Sequence, residues 1–215
     1  MKKEKISNSV IARLPKYYSC VEELYLTNCI RVSSSTLSQR LGFTASQIRQ
    51  DFSCFGEFGQ QGYGYNVKKL RYEIREILGL NSRNTAILVG CGNLGTALLH
   101  NFDFESRGFY LLAAFDAAPD KVNTRMGPVR VLDACTLPRF MEAEKPCMAV
   151  LTVPKDIAQK VADHLIALGI EAIWNFTGTN LDTGDSDVLV EQVDFSSSLL
   201  TLSYRLGQKK GTSEP

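Results

Sequence analysis

A chain of 215 residues, 44% hydrophobic and 22% charged, has the composition of a soluble globular protein of one or two domains. No run of about 18 apolar residues is present, which argues against a membrane-spanning helix. The net charge of +1 singles out no partner, but residues 1–80 carry 12 Lys and Arg against 7 Asp and Glu, and the rest carry 12 against 16. The basic N-terminal third is compatible with nucleic acid, and equally with chance variation of a surface.

The opening MKKEKISNSVIARLPKYY has a basic flank and no apolar core, so no signal peptide is expected. The six cysteines form no CxxC pair and have no histidine at ligand spacing. They read as reduced thiols of a cytoplasmic protein without a metal site.

YYSCVEELYL places Tyr18, Val21 and Tyr25 at helical spacing with Leu24 alongside, and Pro15 fits the first turn of that helix. SSSTLSQRLGF predicts a second helix, capped by a serine and ended by Gly42. TASQIRQDFSCFG predicts a third, with Thr44 as cap, Gly56 as exit, and Ile48, Phe52 and Phe55 on one face. Ser46, Arg49, Gln50 and Ser53 share the other face, with Gln47 beside them. Two such helices around a short glycine-containing turn fit helix-turn-helix, whose second helix reads a DNA major groove. The same pattern also fits the solvated face of any small helical domain. In GEFGQQGYGY the glycines suit tight turns and Phe58, Tyr63 and Tyr65 suit core anchors, which fits a β-hairpin wing carrying Gln60 and Gln61. NVKKLRYEIREILGL predicts a fourth helix with Leu70, Ile74, Ile77 and Leu78 inward, and a linker follows near residues 79–84.

Beyond it, TAILVG, YLLAAFD, VRVL, CMAVLTV and EAIWNF predict strands over 85–90, 110–116, 129–132, 147–153 and 171–176, and DIAQKVADHLIALG is a helix between the last two. This alternation predicts an α/β domain with a parallel sheet. VGCGNLG holds Gly90, Cys91, Gly92, Asn93, Leu94 and Gly95 in the GxGxxG spacing, closing a strand and opening a helix. The first glycine permits the turn, the second lets the backbone approach a pyrophosphate, and the third lets helix and strand pack. Asp116 ends the next strand, 21 residues past Gly95, where a carboxylate accepts ribose hydroxyls and repels a 2′-phosphate, favouring NAD(H). Thr152, Val153, Pro154, Asn175 and Phe176 follow the fourth and fifth strands and would line the nicotinamide side, or simply pack the strand ends. His100 and His164 lie on helices, no YxxxK arrangement is present, and little chain remains for a substrate domain. A signalling role for the coenzyme is therefore expected, with a small NAD-dependent oxidoreductase bearing a helical cap as the alternative. DFSSSLLTLSYRL predicts a C-terminal helix whose Phe195, Leu199, Leu200, Leu202 and Leu206 form an apolar face, packed on its own domain or inserted into a partner.

RLPKYYSCVEEL, RVSS, SQIRQDFSCFGEFG, GYGYNVKKLRYEIREILGL, VGCGNLGTAL, AAFD, LTVP and VDF occur in that order. Together they resemble the Rex family of bacterial redox-sensing repressors over roughly residues 10–206. The resemblance implies a homodimer that binds palindromic double-stranded operators and is released by NADH. It implies a winged-helix domain over 1–80, a Rossmann domain over 85–193, a helix over 194–207 exchanged between subunits, and a disordered tail over 208–215. Phe195 matches the residue that reaches the partner's nicotinamide pocket, and Asp194 one that couples ligand to DNA-binding domain. Rex relatives commonly carry Arg-Lys at Arg49-Gln50, Lys-Arg at Gln60-Gln61, arginine at Ser19 and tyrosine at Asn101. Fewer positive charges weaken phosphate contacts and flatten the salt dependence.

Overall fold

A computed structural model describes residues 6–56, 59–60 and 63–211. The chain divides into two compact units, Met1–Ser82 and Arg83–Pro215.

The first unit contains α1 (Asn8–Leu26), β1 (Arg31–Val32), α2 (Ser34–Leu41), α3 (Ala45–Ser53), β2 (Gly59–Gln60), β3 (Gly64–Asn66) and α4 (Val67–Ile77). The strands form a small antiparallel sheet in the order β1-β3-β2. Three caps fix where the helices begin. Ser33 accepts from the Thr36 amide, Thr44 from Gln47 and Asn66 from Lys69. Gly42, in the left-handed region at φ 72°, ends α2.

Two expectations for this unit need correction. The first helix starts at Asn8 rather than near Pro15, so Pro15 lies inside it. A proline there removes one backbone hydrogen bond. It is tolerated because Val10, Leu14, Tyr17, Val21 and Leu24 continue one buried stripe through the break. That stripe runs through Tyr17, fully buried, while Tyr25 is exposed and Tyr18 half-buried. In the wing, Tyr65 is buried but Tyr63 is 70% exposed and anchors nothing, because it stands at the turn ahead of β3. Phe58 and Gln61 lie outside the described residues.

The second unit contains β4 (Asn84–Val89), α5 (Asn93–Asn101), β5 (Phe109–Asp116), β6 (Arg125–Met126), β7 (Val129–Asp133), α6 (Leu137–Glu144), β8 (Met148–Leu151), α7 (Ala158–Ala167), β9 (Ala172–Asn175), β10 (Leu189–Gln192) and α8 (Phe195–Gly211). The sheet order is β10-β9-β8-β4-β5-β7-β6, with parallel pairing throughout except at β6. The chain runs from β4 outward through β5 to β7, then returns to the other side of β4 as β8. The carboxyl ends of β4 and β8 therefore form the switch point at which doubly wound sheets bind ligands. Buried side chains cover both faces of the sheet, Ile87, Phe115, Leu151 and Ile173 on one and Leu88, Ala114, Val131 and Val150 on the other.

Strands β6 and β10 were absent from the sequence reading, being short edge strands with little burial. The last helix continues to Gly211, past the expected end at 207. Its Phe195, Leu199, Leu200, Leu202 and Leu206 are all exposed. Among the described residues no helix is long and apolar enough to cross a membrane.

Candidate functional site

Two places concentrate the residues singled out by sequence, one in each unit.

In the second unit the turn after β4 is shaped by its own packing. Gly90 has φ +99°, and a Cβ there would lie 2.8 Å from the backbone of Thr152 and Val153. Thr152 fastens the turn, donating from its amide to Val89 O (3.0 Å) and from its hydroxyl to Gly90 O (2.6 Å). Gly95 meets the Gly90 carbonyl directly. Gly92 is different. It caps α5 in an extended conformation, and a Cβ built on it has nothing within 4 Å. The protein's own packing does not require a glycine at 92, but a ligand pressed against the backbone would. The first amide of this turn to bond within the helix is Thr96, to Gly92 O at 2.9 Å. The amides of Asn93, Leu94 and Gly95 before it have no partner within the helix and lie at the positive end of the α5 dipole, a setting for an anion.

A cavity of about 500 Å³ opens here, lined by Gly90, Gly92, Leu94, Asp116, Thr152, Val153, Pro154 and Phe176 from the sequence-derived set. Lys121, Lys155 and Thr177 complete the wall, and sequence reading missed all three. Asp116 ends β5 against the turn. Its Oδ2 accepts from the Cys91 amide at 2.6 Å and faces Lys121 Nζ at 3.7 Å, while Oδ1 accepts from the Ala118 amide at 2.8 Å. Lys121 lies five residues after Asp116, a spacing that carried no signal without the turn that returns it.

Cys91, Asn93, Gly95 and Asn175 do not line the cavity. Cys91 is buried, and burial pushes its thiol up to about 11, with the Asp116 carboxylate adding to the effect. Asn175 is fully buried and its amide is committed. Nδ2 donates to Thr179 O and Gln192 Oε1, and Oδ1 accepts from the Thr177 amide and hydroxyl. It holds the loop that carries Phe176 and Thr177 to the wall. The Phe176 ring packs edge-on against Trp174 at 4.5 Å and tilts toward Phe195 of α8 at 6.3 Å. Asp194 caps α8, accepting from the Ser196 and Ser197 amides. Asn101 bonds back to Ala97 O on its own helix, and Ser19 to Pro15 O on α1. His100 and His164 stand exposed on α5 and α7, away from the cavity wall.

In the first unit, Ser46, Arg49, Gln50 and Ser53 form an exposed face of α3. Arg49 reaches Ser34 Oγ at 3.1 Å, at the start of α2. Tyr63 lies beside Arg31, which donates to its carbonyl and stands 5.8 Å from its ring. The opposite face of α3 holds a residue sequence reading did not single out. Asp51 is 1% exposed and takes both ends of the Arg13 fork, at 2.6 and 2.8 Å. It also accepts from the Tyr17 hydroxyl at 2.5 Å and Gln47 Nε2 at 2.8 Å. Burial penalises this carboxylate, but the hydrogen bonds from Arg13, Tyr17 and Gln47 outweigh the penalty and hold its pKa below the usual range. Burial and the neighbouring carboxylate push the Tyr17 phenol up. This cluster clamps α3 onto α1.

Known proteins match along nearly the whole chain. A family model described as "Putative DNA-binding protein N-terminus" matches residues 5–53, and one described as "CoA binding domain" matches residues 81–179. The redox-sensing transcriptional repressor Rex of Thermoanaerobacter pseudethanolicus is 46% identical over 209 residues, covering 97% of this chain and 93% of that protein. The protein of the same name from Clostridium acetobutylicum is 46% identical over 205 residues, covering 95% of each. Among solved structures, RSP in complex with beta-NAD+ and operator DNA has 45% identity and a TM-score of 0.89, covering 96% of this chain and 94% of that one. RSP in complex with beta-NADH has 42% identity and a TM-score of 0.87, covering 95% and 96%. Identity at this level from the winged unit through the nucleotide fold leaves one assignment: the chain belongs to the Rex family of redox-sensing transcriptional repressors.

Proposed function

We propose that this protein is a homodimeric repressor that grips palindromic operator DNA and lets go when NADH replaces NAD+ in its nucleotide site. The observation that carries the reading is the likeness, over almost the full chain, to a repressor solved with both operator DNA and the coenzyme. The relatives are named as repressors, and a role in the cytoplasm follows from acting on bacterial DNA.

When bound, NAD(H) brings a doubly anionic pyrophosphate and a nicotinamide ring that is cationic when oxidised and neutral when reduced. Gly90, Cys91, Gly92, Asn93, Leu94 and Gly95 supply the turn and the α5 amides for the pyrophosphate. Asp116 is placed for the adenosine ribose. Thr152, Val153, Pro154 and Phe176 would flank the nicotinamide, with Asn175 fixing the loop of Phe176 from behind. Among the described residues the apolar face of α8 is left exposed, with only Phe195 tilting toward Phe176, which supports its exchange between subunits and a position for Phe195 in the partner's pocket. Ser46, Gln47, Arg49, Gln50 and Ser53 of α3, with Gln60, Gln61 and Tyr63 of the wing, would face the operator.

A ligand moves a two-state equilibrium only by its difference in affinity for the two states. NADH and NAD+ must therefore favour different separations of the two α3 helices, because half-sites on the duplex are a fixed distance apart. Gel-shift titration at fixed ionic strength tests this. NADH is expected to weaken operator binding at least ten-fold relative to NAD+. Equal affinity under both coenzymes would overturn the switch.

A further inference from the structure

Among the described residues three charged side chains line the nucleotide cavity: Asp116, Lys121 and Lys155. Two of them offset each other, because Asp116 Oδ2 faces Lys121 Nζ at 3.7 Å at the end of β5. Lys155 is left over. It is exposed and follows Pro154 in a single 3-10 turn, Lys155–Ile157, between β8 and α7. Among the described residues no carboxylate lies within ion-pair distance of it. Its neighbour Asp156 does not line the cavity. A position ahead of α7 is also the end of a helix where negative charge is favoured, so the helix does not account for a lysine there. The wall formed by Thr152, Val153 and Pro154 therefore continues into an uncompensated positive charge.

The two oxidation states of the coenzyme share one pyrophosphate and differ by a single positive charge on the nicotinamide ring. A fixed cation on that side of the cavity opposes the oxidised ring and is indifferent to the reduced one. We infer that Lys155 is a specificity-determining residue that disfavours NAD+ against NADH by charge repulsion, and so lowers the NADH to NAD+ ratio at which the site changes occupant. The inference rests on the nucleotide site proposed above, with the nicotinamide on the β8 side. Attraction of Lys155 for the pyrophosphate is common to both coenzymes and cancels from their ratio. Charges facing each other across a partly solvated wall change affinity by a few-fold, and by less as salt rises.

The test is calorimetric titration of full-length wild type, Lys155→Gln, Lys155→Glu and Lys155→Arg with NAD+ and with NADH. The quantity read is the preference for NADH, the ratio of the two dissociation constants. Lys155→Gln is expected to lower it about three- to five-fold, and Lys155→Glu by a similar factor again. Lys155→Arg keeps the charge and should keep the ratio within about two-fold of wild type. The gap between wild type and Lys155→Gln should narrow as salt is raised to roughly 0.5 M. Equal changes for both coenzymes would make Lys155 a pyrophosphate contact and overturn the inference. An unchanged ratio in Lys155→Gln, or an arginine variant that behaves like the glutamine one, would overturn it as well. Failure of the wild type to bind either coenzyme would overturn the nucleotide site itself.

Discussion

Gly95 rests on Gly90 so closely that a Cβ added to Gly95 would lie 2.0 Å from the Gly90 carbonyl oxygen. The contact is backbone against backbone, and no side-chain rotation relieves it. Gly95→Ala should therefore destabilise the nucleotide unit by roughly 3 kcal/mol, at the upper end of what overpacking costs. Gly92→Ala meets no protein atom within 4 Å and should leave stability within about 0.5 kcal/mol of wild type, the usual range for a surface change. It should nevertheless lower NADH affinity by an order of magnitude or more, because in the proposed site the added methyl would stand where the pyrophosphate approaches. Thermal melts paired with calorimetric titration separate the two effects. Equal losses of stability would contradict the division of roles.

Asp51 gives the DNA-binding unit an acid limit. Its pKa is lower in the folded chain than in the unfolded one, so the unfolded chain takes up the proton first as pH falls. The stabilisation is therefore complete above the ordinary carboxylate value near 4 and is lost as pH drops through the lowered one. Asp51→Asn should cost about 3 kcal/mol at neutral pH, because it leaves the Arg13 guanidinium without its counter-charge. It should also flatten the acid limb of stability. Urea unfolding of both proteins across the acid range measures this, and parallel pH profiles would show that Asp51 contributes nothing to that limb.

Asp116 faces Lys121 at 3.7 Å across the cavity wall. Replacing the carboxylate with Asp116→Ser should weaken NADH about ten-fold and free Lys121 to meet a 2′-phosphate. The preference for NADH over NADPH should shrink or reverse. Calorimetry with both coenzymes reads the ratio. An unchanged ratio would remove Asp116 from the adenosine end.

The exposed apolar face of α8 invites an assembly test. Two charges on that face, Leu199→Asp with Leu202→Asp, should leave each unit folded and convert dimer to monomer in sedimentation. Operator affinity should fall at least a hundred-fold, since under the proposed reading a monomer would engage a single half-site. A double variant that sediments as a dimer would place the interface elsewhere.

What could be read in advance were the features that are local in sequence. A serine of the 33–35 run, Thr44 and Gly42 mark helix ends because each acts within four residues of itself. The GxGxxG turn and Asp116 were readable for the same reason, since strand, turn and helix follow one another directly. Asp51 was hidden because its meaning lies in Arg13 and Tyr17, 38 and 34 residues away, and on its own a carboxylate on α3 looks like one more solvated group. Lys121 and Thr177 needed the loops that bring them back to the switch point. Pro15 misled because a local rule for proline was overruled by a buried stripe longer than the rule considers. The edge strand β10 offered only alternate half-buried positions, too weak a pattern to stand out beside the fully buried β8.

Trp174 is the only tryptophan in the chain, and its ring packs on Phe176, a wall residue of the nucleotide cavity. Reduced nicotinamide absorbs light where an indole emits, and the oxidised ring does not. A coenzyme bound in that cavity would lie within energy-transfer range of this native fluorophore, so indole emission is expected to fall with NADH and not with NAD+, without any label.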